Sequence, residues 1–265
     1  MPRIYTYGPF KSRRLGLSLG VDILPKCKKC SYNCVYCELG ITKPNQLVSP
    51  EYKMNIEPKN SFQKELSSIL KYIKNLDSIT FGYTGEPTLN KNLDEFFKIA
   101  KIVRNRINWK KRIPKLTLFT NSSTLYQKEV RDKVKDFDLI LTKLDAANQE
   151  DFLSTNRPHK EVPSIDEIIN SIAKLKSELS HHHKLAIQCL LYESYNKEFI
   201  SNKNKRNLEN LAEAINIINP DIVQLYSIAR IPAEYYVYAL GEEKLKEISN
   251  MLKRKIPSSV KIDYY

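Results

Sequence analysis

The chain is poor in glycine, with seven among 265 residues, and it has one tryptophan and five cysteines. It contains no run of eighteen apolar residues, which excludes a membrane-spanning helix of ordinary length. The first fifteen residues, carrying Arg3, Lys11, Arg13 and Arg14, lack the apolar stretch of a secretory signal. The expectation is therefore a cytoplasmic protein with no membrane contact. Neither an internal repeat nor a low-complexity tract is present. Outside one short segment cysteine is nearly absent, and in a reducing compartment such a distribution speaks for metal binding rather than disulfides. Cys189, alone in an apolar run, reads as a buried core residue.

What is abundant is positive charge. Forty-three Lys and Arg against 30 Asp and Glu leave a formal charge of +13, a balance that suits an anionic partner such as RNA. A lysine-rich, glycine-poor chain also suits life at high temperature without any ligand. The densest basic run, Lys101 to Lys115, has seven Lys or Arg, no acid and Trp109. It precedes a strand, which places it opposite any chemistry at the strand ends. The triplet His181 to His183 is expected on the same far side, as surface.

Six β-branched or aromatic segments recur, each followed by a stretch of helical periodicity. The strands expected are Leu15 to Leu24, Ser78 to Glu86, Lys115 to Ser123, Asp138 to Ala146, Lys184 to Tyr192 and Asp221 to Ala229, with a last edge strand in "VKIDYY". Helices are expected near Phe62 to Lys74, Leu93 to Arg104, Tyr126 to Val134, Ile165 to Leu179, Asn207 to Ile217 and Glu243 to Lys253. Right-handed βα units of this kind predict parallel strands with helices outside, an α/β fold closing into a partial (β/α)6 TIM-like barrel. One domain over residues 1–265 is expected: an N-terminal segment to residue 14, a barrel core over 15–230, and a C-terminal helix and edge strand over 231–265. Chemistry in such folds gathers at the carboxyl ends of the strands. The clusters "TGEPT", "TNSS", "LDA" and "YSIAR" all fall there. "NKNKRN" (Asn202 to Asn207) reads as a solvated loop.

"CKKCSYNCVYC" packs four cysteines into eleven positions, Cys27, Cys30, Cys34 and Cys37. Two zinc knuckles normally stand a dozen or more residues apart so that the chain can close a tetrahedron. Only Ser31, Tyr32 and Asn33 separate the two pairs here, whereas a cubane iron–sulfur cluster accepts thiolates from one short loop. Cys30, Cys34 and Cys37 form C-x3-C-x2-C with Tyr36 before the last cysteine, and this resembles the signature of the radical S-adenosylmethionine (radical SAM) superfamily. The resemblance implies a [4Fe–4S] cluster on those three thiolates, with one iron left for S-adenosylmethionine. It also implies reductive cleavage of that molecule to a 5′-deoxyadenosyl radical for hydrogen abstraction, and an external electron donor such as a ferredoxin or flavodoxin. Cys27 is expected to stand outside the cluster; as a fourth ligand it would make a ferredoxin-like electron carrier instead.

Later motifs bear on that choice. "FGYTGEPTL" resembles the family's glycine–glutamate motif, in which Gly85 allows close approach of the chain to the ligand and Glu86 offers an acceptor for the methionine ammonium. "LFTNSSTL" resembles its TNG-type turn, with Asn121 facing a ribose or carboxylate and Ser123 suited to cap the next helix. Lys143 and Asp145 share a strand face; Asp145 joins Tyr36, Gly85, Glu86 and Asn121 as an expected S-adenosylmethionine contact. Arg13, Arg14, Lys143 and Arg157, the last in "NRPH", are the candidate substrate residues, and no catalytic acid or base stands out. Lys26, Lys28, Lys29 and Lys43 flank the cysteines, and Lys203, Lys205 and Arg206 follow the fifth strand, where they would attract phosphate; cations beside the thiolates would also stabilise an anionic cluster.

In their order these motifs resemble the small radical enzymes related to the wyosine-synthesising tRNA enzyme. That relative uses a second cluster on three further cysteines, and only Cys27 and Cys189 remain here. The expectation is a monomeric radical enzyme with an unassigned substrate, a tRNA nucleoside being one candidate. A glycyl-radical activase and a four-cysteine electron-transfer protein are the alternatives.

Overall fold

The computed structural model of the protein describes residues 3–24 and 28–265. Lys26 and Cys27 lie outside the described residues. One sheet holds β1 (Thr6–Ser12), β2 (Gly16–Val21), β3 (Ser78–Phe81), β4 (Lys115–Thr120), β5 (Leu139–Lys143), β6 (Lys184–Leu190), β8 (Ile222–Tyr226) and β10 (Lys261–Tyr264), neighbours in that order. It curls into a parallel half-barrel, with β1 alone antiparallel to its neighbour. A small antiparallel pair, β7 (Tyr192–Ser194) and β9 (Val237–Ala239), stands apart from it. The six strands expected from the sequence are β2 to β6 and β8, and "VKIDYY" supplies β10 beside β8.

Seven α-helices are described: α1 (Asn60–Tyr72), α2 (Leu93–Asn105), α3 (Lys128–Val134), α4 (Gln149–Asn156), α5 (Ile165–Glu178), α6 (Lys205–Ile218) and α7 (Glu242–Lys253). Packing holds them more than capping does. α1 has no side-chain cap at Lys59, yet Phe62, Leu66 and Leu70, spaced by four, are fully buried. At about 1.5–3 kcal/mol for each large apolar side chain, that face outweighs a missing cap of about 1 kcal/mol. α5 has both, with a capping box between Ser164 and Glu167. None of the described helices is long and apolar enough to cross a membrane.

The core lies between the helices and the outer face of the sheet, where Leu19, Val21, Ile79, Phe81, Leu118, Ile140, Ile187 and Val223 are buried together. The register then puts their neighbours in sequence on the inner face. The basic run of Lys101 to Lys115 comprises the end of α2 and the connection to β4 under the amino ends of the strands, tied down by Arg104 to Asp138 at 2.5 Å, Arg112 to Asp77 at 2.7 Å and Trp109 Nε1 donating to the Arg104 carbonyl at 2.9 Å.

Two local expectations are corrected. Asn202 to Asn207 is not a solvated loop: Asn202 and Asn207 are fully buried and each donates to the Asp145 carbonyl, while Asn204 caps α6, which starts at Lys205. Three asparagines there satisfy backbone groups that would otherwise be buried unpaired. Ser123 does not cap α3, whose first flanking residue is Gln127; its hydroxyl meets that of Ser31 at 2.6 Å.

Candidate metal centre

The segment carrying Cys30, Cys34 and Cys37 crosses the carboxyl ends of the strands and is seated by backbone contacts from three sides. Lys29 pairs with Gly85 beyond β3, Cys30 with Leu47, and Tyr32 with Pro158 beyond α4. The Asn33 and Val35 N–H groups donate to carbonyls of Asn156 and Thr155, each at 3.0 Å. Gly85 has φ of +105°, and a Cβ there would lie 1.8 Å from the Lys29 carbonyl oxygen. Only glycine lets the loop meet the sheet at this point.

Each of the three thiols receives one N–H donor from a different part of the chain. Asn121 Nδ2, after β4, lies 3.4 Å from Cys30 Sγ; Asn156 Nδ2, ending α4, lies 3.4 Å from Cys34 Sγ; Lys28 Nζ lies 3.2 Å from Cys37 Sγ. Lys28 is itself 8% exposed and also donates to the Gly40 carbonyl at 2.7 Å. Donors to sulfur favour the thiolate. Against them, burial first and the neighbouring Cys34 charge second push the Cys30 thiol up to about 12, while burial and the Cys37 charge push Cys34 up to about 11. Without a metal these two thiols keep their protons at neutral pH. A metal centre would displace them.

Among the described residues, which leave out Cys27, no three His, Cys, Asp or Glu side chains converge on the position of a single ion. A cubane takes its thiolates on separate irons and so holds them further apart. Three thiols on one loop, each with its own N–H donor, fit it.

Two buried carboxylates organise the strand ends beneath the loop. Glu86 accepts from Thr88 N at 3.1 Å, Thr88 Oγ1 at 2.6 Å, Thr120 Oγ1 at 2.8 Å and Asn121 N, joining the ends of β3 and β4. Burial raises its carboxyl above the ordinary value, opposed by those donors. Asp145 accepts from Leu190 N at 2.7 Å, Lys143 Nζ at 2.9 Å, Asn156 Nδ2 at 3.2 Å and the Tyr36 hydroxyl. Both carboxylates hold neighbours of the cysteines in place. Lys143 also donates to the Tyr226 hydroxyl at 2.8 Å. Burial pulls its ammonium down, and the Asp145 charge and Tyr226 phenol more than offset this.

The structure thus brings Tyr36, Gly85, Glu86, Asn121, Lys143 and Asp145 together with the three cysteines. Arg157, in the left-handed region at the end of α4, instead pairs with Glu234 and donates to the Tyr236 hydroxyl at 2.9 Å. Arg13 is exposed, whereas Arg14 turns to the inner face of the sheet. Lys203 and Arg206 pair with Glu193 and Glu150 at 2.9 and 2.8 Å. Asn156, the first residue of "NRPH", touches Cys34 Sγ although nothing in its sequence setting singles it out.

A profile described as the radical SAM superfamily matches residues 24–200. The chain is 32% identical over 257 residues, 97% of its length, to a protein named GTPase Obg from Brachyspira hyodysenteriae, of which it spans only 34%. No Gly-x4-Gly-Lys-Ser/Thr run occurs in the 265 residues, so that name finds no phosphate-binding loop here. It is 30% identical over 248 residues to a UPF0026 protein of Helicobacter pylori, covering 92% of this chain and 72% of that one. Among solved structures, TYW1 with a lysine–pyruvate adduct bound superposes with a TM-score of 0.60 at 18% identity, covering 90% of this chain and 74% of that one.

Proposed function

The chain belongs to the radical SAM superfamily and to the UPF0026 proteins, and from that premise we propose that Cys30, Cys34 and Cys37 hold its [4Fe–4S] cluster while Tyr36, Gly85, Glu86, Asn121 and Asp145 frame the place of S-adenosylmethionine beside it. The cofactors themselves, the cluster and S-adenosylmethionine, are those of the superfamily. Together they supply a one-electron reductive cleavage of the sulfonium that leads to hydrogen abstraction from a substrate.

The observation that carries the assignment is the set of three N–H donors, one to each sulfur of C-x3-C-x2-C. Three thiolates from one loop would leave one iron of such a cluster without a protein ligand, the open position a catalytic centre requires. The chain's own residues then have distinct tasks. Asn121, Asn156 and Lys28 hold negative charge at the sulfurs. Gly85 admits the loop to the sheet, and Glu86 and Asp145 fix the ends of β3, β4 and β5 under it. Lys143, partly accessible and fixed between Asp145 and Tyr226, presents a cation toward the space over the strand ends.

The reaction is of oxidoreductase type, with a ferredoxin- or flavodoxin-like donor supplying the electron. The charge of +13 supports an anionic substrate, a tRNA nucleoside among them. The test is anaerobic reconstitution followed by dithionite, S-adenosylmethionine and chromatography of 5′-deoxyadenosine. The wild-type chain is expected to form it and Cys34→Ala to lose both cluster and product. A fully loaded wild-type protein that forms none would overturn the proposal.

A further inference from the structure

The inner face of the half-barrel carries an apolar patch, Leu139, Leu141 and Ala186 packed with Leu15, Phe119 and Ile222, beside neutral polar groups that satisfy one another. Ser18 meets Thr80 at 2.7 Å, Ser78 meets Thr80 and Thr117 at 2.8 Å each, and Gln188 donates to Gln224 at 2.9 Å. Tyr7 lies over Gly20, with its hydroxyl on the Gly82 carbonyl at 2.5 Å. The acids on this face are engaged, Asp145 by Lys143 at 2.9 Å and Asp263 by Lys261 at 2.7 Å.

Arg14, from the turn joining β1 to β2, is the exception. Its guanidinium carbon stands 4.1 Å from the centroid of the Tyr226 ring and 6.0 Å from that of Phe119. Its Nη1 is buried, and among the described residues nothing accepts a hydrogen bond from it. A buried guanidinium N–H has given up its hydration and gains nothing in return until an acceptor arrives. Lys143 approaches the same ring, 5.0 Å from the Tyr226 centroid, and donates to its hydroxyl. The two cations thus flank one tyrosine, with the path Arg14, Tyr226, Lys143, Asp145, Tyr36 leading to the residue beside Cys37. Phe119, Lys143 and Tyr226 remain partly accessible, so this face is open at the strand ends.

We propose that the inner face of the half-barrel binds a small organic anion, a carboxylate or a phosphate ester, with Arg14 as the residue that receives its charged end. Its role as substrate rests on the radical reading given above; the binding site itself stands on the geometry. Arg14 offers a planar fork that pairs with two oxygens at once, and only engaged acids compete for it. The buried nitrogen favours a small molecule over a polynucleotide, whose phosphates would meet the exposed lysines first.

The test uses cluster-loaded protein and two probes, inorganic phosphate and malonate, titrated by calorimetry. Wild-type protein is expected to bind at least one saturably, Arg14→Gln at least about tenfold more weakly, and Arg14→Lys in between. Arg206→Gln, at the surface, should match wild type. Should Arg14→Gln fail to fold, Arg14→Lys still decides, because a guanidinium fork predicts a loss that charge alone does not restore. No saturable binding by wild type, or equal binding by the Arg14 variants, overturns the site. So does binding of a short RNA that Arg14→Gln leaves unchanged while neither probe binds. Formation of 5′-deoxyadenosine by wild-type protein is scored separately, so that missing anion binding beside normal cleavage of S-adenosylmethionine counts against this inference and leaves the radical assignment standing.

Discussion

At Gly85 the cysteine loop and the sheet meet backbone to backbone, and alanine at this position tests whether that junction seats the metal centre. Its φ of +105° costs an L-residue about 1–3 kcal/mol. The added Cβ would sit 1.8 Å from the Lys29 carbonyl oxygen and 2.7 Å from its carbon, and backbone atoms cannot rotate away as a side chain can. The hydrogen bond from the Glu86 N–H to that carbonyl, 3.0 Å long, is lost as well, for about 1 kcal/mol more. Gly85→Ala should therefore cost about 3 kcal/mol. If the loop stays docked, the melting temperature falls by about 6–12 °C, at roughly 2–4 °C per kcal/mol for a chain of this size. If the loop detaches instead, its docked population falls by about two orders of magnitude, and the loss appears as iron and sulfide missing after reconstitution. Gly40→Ala is the control: its φ is +74° but nothing lies within 4 Å, so only the backbone cost applies. Gly85→Ala protein with wild-type melting and full iron content would refute the reasoning.

The donors to sulfur give a second prediction. Removing one with Asn121→Leu or Lys28→Met should lower the cluster's midpoint potential, by about 40 mV for each ~1 kcal/mol of bond strength specific to the reduced state; unchanged redox titrations would show that these contacts do not survive cluster binding. Arg131 is a structural counterpart, 1% exposed and donating to the Leu125 and Tyr126 carbonyls at 2.8 and 2.9 Å and to Glu178 at 3.0 Å. Arg131→Met should destabilise the fold by about 3–5 kcal/mol in denaturant titration while 5′-deoxyadenosine formed per cluster stays the same. The thiols predict a pH effect on cluster-free protein. The Cys30 thiol ionises near its ordinary 9.0 in the unfolded chain and at about 12 in the fold, so between those values the folded state binds more protons and stability falls as pH rises, by up to about 1.4 kcal/mol per pH unit. The contribution is fully present below 9, and Cys30→Ser should flatten that alkaline limb; an identical limb in both proteins would contradict the burial of this thiol.

Much of the barrel was legible because its signal is apolar alternation. β2 to β6 and β8 each carry buried outer-face residues such as Ile79, Phe81, Ile140 and Ile187, and the helices between them have apolar residues at helical spacing. β1 was missed because in TYGPFKS only Thr6 is buried and the rest show no such pattern. α4 was missed for a related reason. It buries Asp151, Thr155 and Asn156 alongside the single large apolar Phe152, and buried polar residues look like loop in a sequence.

The site divides along the same line. The cysteine spacing and the motifs after β3, β4 and β5 were visible as strings, and the structure does gather them. Which atom of each motif touches what was not visible. In "NRPH" the charged Arg157 is the conspicuous residue, yet it pairs with Glu234, whereas Asn156 meets Cys34. Arg13 and Arg14 are indistinguishable in sequence, yet the turn between β1 and β2 sends one to solvent and the other under Tyr226. Long-range partners of this kind depend on the curvature of the sheet, which no local pattern encodes.

The central claim is that three thiolates hold a cluster whose remaining iron is open to S-adenosylmethionine. Electron paramagnetic resonance of the dithionite-reduced, reconstituted protein, recorded with and without S-adenosylmethionine, tests it most directly. The account predicts a reduced [4Fe–4S] signal whose g values change on addition of S-adenosylmethionine in wild-type and Cys27→Ala protein alike. A signal that S-adenosylmethionine leaves unchanged, or a cluster that Cys27→Ala abolishes, would contradict it.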